Sequence, residues 1–203
     1  MQSFTEKDPS VFFKLRFLDI YMAGHKGFIA GGCFKNIFQN VRIKDIDIFF
    51  ETEADFAGAN IYFGNNKDYL LSYENKNTVA YKNTKTNMRI ELVRSQFGTA
   101  VEILSKFDFS VVKFSYFRKR ITTEEGESVS FMCLHHVDYF EHLTLKKLVL
   151  EKEILFPVST FERSYRYTKY GFGLCRESKE NLLNAIKGTE TINISNDLYF
   201  GFD

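Results

Sequence analysis

Tryptophan is absent, proline occurs twice and cysteine three times. Cys33, Cys133 and Cys175 are far apart and odd in number. They lack the paired spacing of a zinc site or a disulfide framework, so they read as reduced thiols of a cytosolic protein. An excess of one charge is also missing: 27 Lys plus Arg stand against 26 Asp plus Glu, a net charge of +1. No long-range positive field announces a nucleic-acid partner, and any such contact must come from a local patch. No apolar run approaches the roughly 20 residues of a membrane span. The N-terminus carries Glu6 and Asp8 where a leader would have its apolar core. These readings predict a cytoplasmic protein with no membrane partner, and no pattern specifies an oligomeric state. Neither an internal repeat nor a low-complexity linker interrupts the chain.

What is present is a globular composition. Hydrophobic residues make up 44% and charged residues 26% of 203 positions, which excludes a wholly disordered chain and favours one domain with a helical appendage. The aromatic content is unusual, with 23 Phe and 11 Tyr. Most of it suits core packing, and on a surface it would also suit base stacking.

Periodicity predicts helices over residues 9–22, 33–39, 52–63 and 97–107, with Thr52 placed to cap the third. Strands are expected over residues 27–30, 45–50, 78–82 and 88–93, and a hairpin pairs 109–117 with 128–134 around a polar turn. After His136 the pattern turns helical, over residues 138–153, 159–170 and 178–186. The expected architecture is therefore α+β: a mixed sheet with helices over residues 1–136, followed by a helical segment over 137–203.

The densest chemistry lies early. In Asp45-Ile46-Asp47-Ile48 carboxylate and apolar residues alternate, so a strand here sends both carboxylates to one face, where they can hold hard cations through oxygen. Upstream, Gly31 and Gly32 stand just before a helix, where a backbone without side chains lets amides approach phosphates. One element suits a metal and the other a phosphate tail.

The run Gly31-Gly32-Cys33-Phe34-Lys35-Asn36, continuing through residues 37–43 to Lys44-Asp45-Ile46-Asp47-Ile48, resembles the head-domain signature of the polymerase-beta superfamily of nucleotidyltransferases. It is similar in particular to bacterial CCA-adding enzymes and poly(A) polymerases, where Gly-Gly-x-Val-Arg-Asp precedes Lys-Asp-Ile-Asp. Here Lys35-Asn36 replaces Arg-Asp. The resemblance implies a nucleotidyltransferase fold, with a mixed sheet flanked by helices and a short helical neck-like segment. It also implies two Mg2+ ions on Asp45 and Asp47, a nucleoside triphosphate substrate, and triphosphate contacts from Gly31, Gly32 and Lys35.

Three further stretches extend the likeness. Arg89-Ile90-Glu91-Leu92-Val93-Arg94 resembles the strand carrying a third acidic residue, which makes Glu91 a candidate catalytic carboxylate beside the aspartates. Lys106-Phe107-Asp108-Phe109 resembles a motif facing the nucleotide sugar and phosphates; Lys106 and Asp108 carry over, while Phe107 and Val112 replace polar residues. The segment from Glu162 to Phe172 resembles helical motifs that present arginines to nucleotide, which makes Arg163 and Arg166, three apart on one helix face, candidates for selecting the base.

The expected function is metal-dependent transfer of a nucleoside monophosphate to an acceptor hydroxyl, with an RNA 3′ end of tRNA type as the leading acceptor. A protein or small-molecule hydroxyl is the alternative, and a head domain that binds nucleotide without turnover is a third reading. His135, His136 and His142 lie close in sequence without a partner at metal-ligand spacing, and packing or surface roles are expected of them.

Overall fold

The computed structural model describes residues 3–123, 126–150 and 154–188. Eight strands, numbered along the chain, are β1 (Phe4–Lys7), β2 (Phe28–Ala30), β3 (Asp45–Phe50), β4 (Tyr69–Glu74), β5 (Thr78–Asn83), β6 (Arg89–Phe97), β7 (Phe114–Thr123) and β8 (Gly126–His136). They form one sheet in the order β1-β8-β7-β2-β3-β6-β5-β4. Every neighbouring pair is antiparallel except β3 with β6, which run parallel. The helices are α1 (Cys33–Phe38), α2 (Glu53–Asn65), α3 (Ala100–Ser105), α4 (Tyr139–Thr144), α5 (Pro157–Thr168) and α6 (Arg176–Lys187), and a kinked 3-10 segment spans Pro9–Tyr21. A two-stranded parallel sheet pairs β9 (Lys147–Leu148) with β10 (Gly173–Leu174). The expected α+β mixed sheet flanked by helices is the observed one, and among the described residues no helix is long and apolar enough to cross a membrane.

The central strand follows from its alternation. Ile46 and Ile48 are fully buried, whereas Asp45 and Asp47 lie half-buried on the other face. Phe49 and Phe50 then drive the strand's far end into the core. Next, Thr52 caps α2 by accepting the Asp55 amide at 3.2 Å, and Glu53 and Asp55 in the first turn complement the helix dipole. Phe56, Ala59 and Phe63 turn its buried face inward. The Phe-rich composition is core: Phe34 and Phe114 are fully buried with ring centroids 4.5 Å apart, and Phe12, Phe38, Tyr139 and Phe140 surround Phe114.

Several expectations are corrected. The helix expected over residues 138–153 ends at Thr144, because Lys146 takes a positive φ of 55° and Leu148 is drawn into strand pairing with Leu174; residues 151–153 lie outside the described part. The strand expected from residue 109 begins at Phe114, since Ser110–Val112 forms a 3-10 turn with the Val112 amide bonded to the Phe109 carbonyl at 3.0 Å. The helix expected over residues 97–107 is confined to Ala100–Ser105 by a complete capping box at Thr99 and Glu102. The edge strands β1 and β4 were not anticipated.

Candidate active site

The parallel β3–β6 pair sets the site. Its register places Asp45 beside Arg89 and Asp47 beside Glu91, so two carboxylates of one strand and one of the next stand level on the sheet. Arg89 and Glu91 share a face because they are two apart on β6, and the register sets that face level with the aspartates. Arg89 closes the group: Nη2 donates to Asp45 Oδ2 at 2.6 Å, and Nε lies 2.9 Å from Glu91 Oε1 as an ion pair without a directed hydrogen bond. The Asp45 hydrogen bond, ahead of the charge of Glu91, raises the Arg89 pKa above its ordinary value. Tyr73, on β4, is pushed up first by burial and then by its hydrogen bond to Glu91.

Gly31 and Gly32 make the turn from β2 into α1. Gly31 has φ +100°, a left-handed conformation that a side chain resists, and its amide donates to the Phe114 carbonyl at 3.0 Å. Its contribution is thus the sharp turn, and that amide does not face the cleft. Gly32, the N-cap of α1, lines a cleft of about 140 Å³ together with Asp45 and Asp47. Both aspartates converge there. The Cys33 thiol on the same wall is pushed well above its usual range by burial first, then by the fields of Asp47 and Asp45.

The opposite wall comes from α5 and the loop after it. Lys35 is buried to 5% exposure, donates to Asn36 Oδ1 at 2.7 Å, and has its ammonium 4.7 Å from the Tyr170 ring centroid and 5.3 Å from that of Tyr167. Asn36 in turn donates to the Arg42 carbonyl at 3.1 Å, so it seats the lysine and ties down the loop leading to β3. Arg166, Tyr167 and Tyr170 line the cleft, and Lys44 lies at its rim, 5.9 Å from the Tyr170 ring centroid.

Among the expected site residues, Asp45, Asp47, Gly32, Lys35 and Arg166 share this cleft, and Glu91 pairs beside Asp47. Lys106, Asp108 and Arg163 do not join them. They line a separate crevice of about 20 Å³, where Arg163 Nε donates to Asp108 Oδ2 at 2.7 Å and Nη2 lies 2.5 Å from the same oxygen. Ser159 Oγ accepts from Nη1 at 3.0 Å and Thr160 Oγ1 from Nη2 at 3.4 Å, and the side chains of Arg163 and Asp108 are 4% and 7% exposed. This pair neutralises itself and pins α5 to the chain after α3.

Arg89, Lys44, Tyr73, Tyr167 and Tyr170 were missed. The alternation of Arg89 with Glu91, and the clustering of Arg166, Tyr167 and Tyr170 about the end of one expected helix, were the available signals. Asp138 also supplies the acidic neighbour that spacing did not suggest for His136 and His142: one ligand atom from each of the three lies within 4.8 Å of the others. His136 Nδ1 accepts the Asp138 amide at 3.1 Å and His142 Nδ1 is bonded to Ser110 Oγ at 2.8 Å, so this cluster stitches the end of β8 to α4.

An eight-stranded mixed sheet with paired aspartates beside a glycine turn defines a protein of the nucleotidyltransferase fold. Solved structures similar to it bear this out. A CCA-adding enzyme with CTP superposes with a TM-score of 0.66 at 17% identity, over 92% of this chain and 46% of that one. The Thermotoga maritima CCA-adding enzyme complexed with tRNA gives 0.59 at 18% identity over the same shares. A tRNA nucleotidyltransferase complexed with a primer tRNA and an incoming ATP analog gives 0.52 at 17%, over 86% of this chain and 50% of that one. Identity this low shows the fold alone.

The chain itself belongs to the Gabija anti-defense 2 family, whose profile matches residues 3–146. Gabija anti-defense 2 of Bacillus phage SPbetaL7 is 23% identical over 145 residues, covering 71% of this chain and 33% of that protein. The likeness to CCA-adding enzymes is therefore one of fold, and the family is a different one. The chain spans about a third of the length of this curated relative and about half that of the solved structures.

Proposed function

We propose that this chain moves a nucleoside monophosphate from a nucleoside triphosphate to an acceptor hydroxyl, releasing pyrophosphate, with divalent metal held by Asp45 and Asp47. The observation that carries this reading is the convergence of Asp45 and Asp47 on one cleft beside the Gly32 turn, with Glu91 paired next to Asp47 on the neighbouring strand. The donor set fits a hard cation. All three groups offer oxygen, Asp45 keeps 34% of its side chain exposed and Glu91 16%, and the carboxylates already attract a guanidinium. Two magnesium ions are the expected complement, and when bound they supply charge neutralisation on the triphosphate and activation of the acceptor oxygen.

The chain's own residues do the rest. Gly31 shapes the turn, Gly32 brings backbone close to the phosphates, and Lys35 offers a fixed positive charge from its aromatic seat. Arg166 reaches the same cleft and is the base-selecting candidate, with Tyr170 offering a face for stacking. Glu91 stands beside Asp47, where it assists metal binding or takes the proton of the acceptor hydroxyl as its oxygen bonds to the α-phosphorus and the bond to pyrophosphate breaks. Asp108 and Arg163 act as positioning residues, holding α5 and its cleft-lining side chains in place.

An RNA 3′ end is the proposed acceptor, in keeping with the tRNA bound by two of the structures that share the fold. Family membership favours a second reading, in which the acceptor hydroxyl belongs to a component of the Gabija defence and the transfer is the anti-defence act. Pyrophosphate release is expected with at least one of the four ribonucleotides, and Asp47→Asn is expected to abolish it. Release measured with and without bulk tRNA, followed by labelled nucleotide traced into RNA or protein, separates the two acceptors. Release that persists in Asp47→Asn removes the catalytic reading.

A further inference from the structure

Among the described residues, other arginines withdrawn from solvent are neutralised by carboxylates: Arg89 by Asp45 and Glu91, Arg94 by Glu74, and the buried Arg163 by Asp108. Arg118 on β7 is the exception. It is partly buried, and among the described residues no carboxylate pairs with it or with Arg120. Burial alone acts on the Arg118 guanidinium, pushing its pKa down. A desolvated cation without a counter-charge is costly, and a bound anion would relieve it.

Arg118 and Arg120 open onto a cleft of about 680 Å³ that shares no lining residue with the carboxylate cleft. Glu51, in its lining, directly follows β3 and is six residues beyond Asp45, roughly 20 Å away at the rise of a strand. The charges around it do not cancel. Asp55 is engaged by the Thr52 hydroxyl at 2.7 Å and by Lys26 at 3.6 Å, which leaves Glu51 against two arginines. His25, buried beside them, has its pKa lowered to about 4, chiefly by burial, and adds no charge near neutral pH. Because Arg118 and Arg120 are two apart on one strand, their guanidinium forks project to the same face about 7 Å apart. Two forks in a row suit successive phosphates better than one isolated anion.

We propose that this cleft binds phosphate-rich anions, two or more phosphates in a row, as an oligoribonucleotide backbone or a free polyphosphate presents them. The inference is independent of the transferase reading and would survive its failure. The test is fluorescence anisotropy of a labelled oligouridylate without divalent metal, with tripolyphosphate as competitor. Arg118→Gln and Arg120→Gln are each expected to weaken binding several-fold and to lower the log–log salt slope by about one unit. Glu51→Gln is expected to tighten it, a gain that a misfolded protein cannot show. Binding of tripolyphosphate but not of the oligonucleotide, with the same arginine dependence, identifies free polyphosphate as the source. Wild type that binds neither probe, or affinities unchanged in Arg118→Gln and Arg120→Gln, overturns the proposal.

Discussion

Arg89 holds together two carboxylates that would otherwise repel each other. With its guanidinium on Asp45 and Glu91, the acidic group keeps its shape without any metal, and a divalent ion must compete with a resident cation for the same oxygens. Arg89 is 41% exposed, so solvent screens the interaction and its contribution is about 1 kcal/mol rather than that of a buried pair. Arg89→Gln is accordingly expected to lower the melting temperature by about 2–4 °C in the absence of metal. Added magnesium should then stabilise the variant more than the wild type, because nothing competes for Asp45. Thermal melts of both proteins with and without magnesium check this; equal metal-induced shifts would show that the arginine and the ion do not share a site. The contact was half legible in advance: alternation puts Arg89 on the face of Glu91, but only the β3–β6 register brings Asp45 beside it.

At the scale of elements, a buried ion pair ties α5 to the chain after α3. The Arg163–Asp108 contact has both side chains almost wholly out of solvent, so losing one partner strands a charge in the interior. Arg163→Met should cost about 3–5 kcal/mol in urea denaturation, whereas Asp108→Leu combined with Arg163→Met should recover most of that loss. A double variant as unstable as the single one would mean that the helix is held by something else. The resemblance set both residues facing nucleotide, and no local pattern announced their mutual pairing, since it joins positions 55 apart that tertiary packing alone brings together. By contrast β3 and α2 were readable almost to the residue, because carboxylate–isoleucine alternation and the Thr52 cap are local signals. Strand β4 was not. Leu70 and Leu71 are both exposed, and a register irregularity between Leu71 and Tyr73 breaks the period that would have marked it as an edge strand. The false helix after Thr144 has the same origin, since apolar spacing there is satisfied by a turn at Lys146 and a short strand.

At the scale of the whole molecule, the histidines make the fold sensitive to acid. His25 is 7% exposed, its Nε2 donates to the Tyr21 carbonyl at 2.8 Å and its Nδ1 accepts the Gly27 amide at 3.0 Å, so the neutral ring is built into the connection that leads into β2. Burial, first among the causes, takes its pKa from the ordinary 6.5 to about 4, and burial likewise lowers His135 and His142. The unfolded chain therefore binds a proton near pH 6.5 that the folded chain refuses until about pH 4. Stability is fully present above the first value and declines as pH falls through this window, by up to about 3 kcal/mol for His25 alone. His25→Gln keeps a donor and an acceptor but cannot titrate, so its denaturation midpoint should fall less steeply than that of the wild type between these two pH values. Parallel pH profiles for the two proteins would place the proton uptake elsewhere, and His135 and His142, whose shifts have the same sign, would be the next pair to substitute.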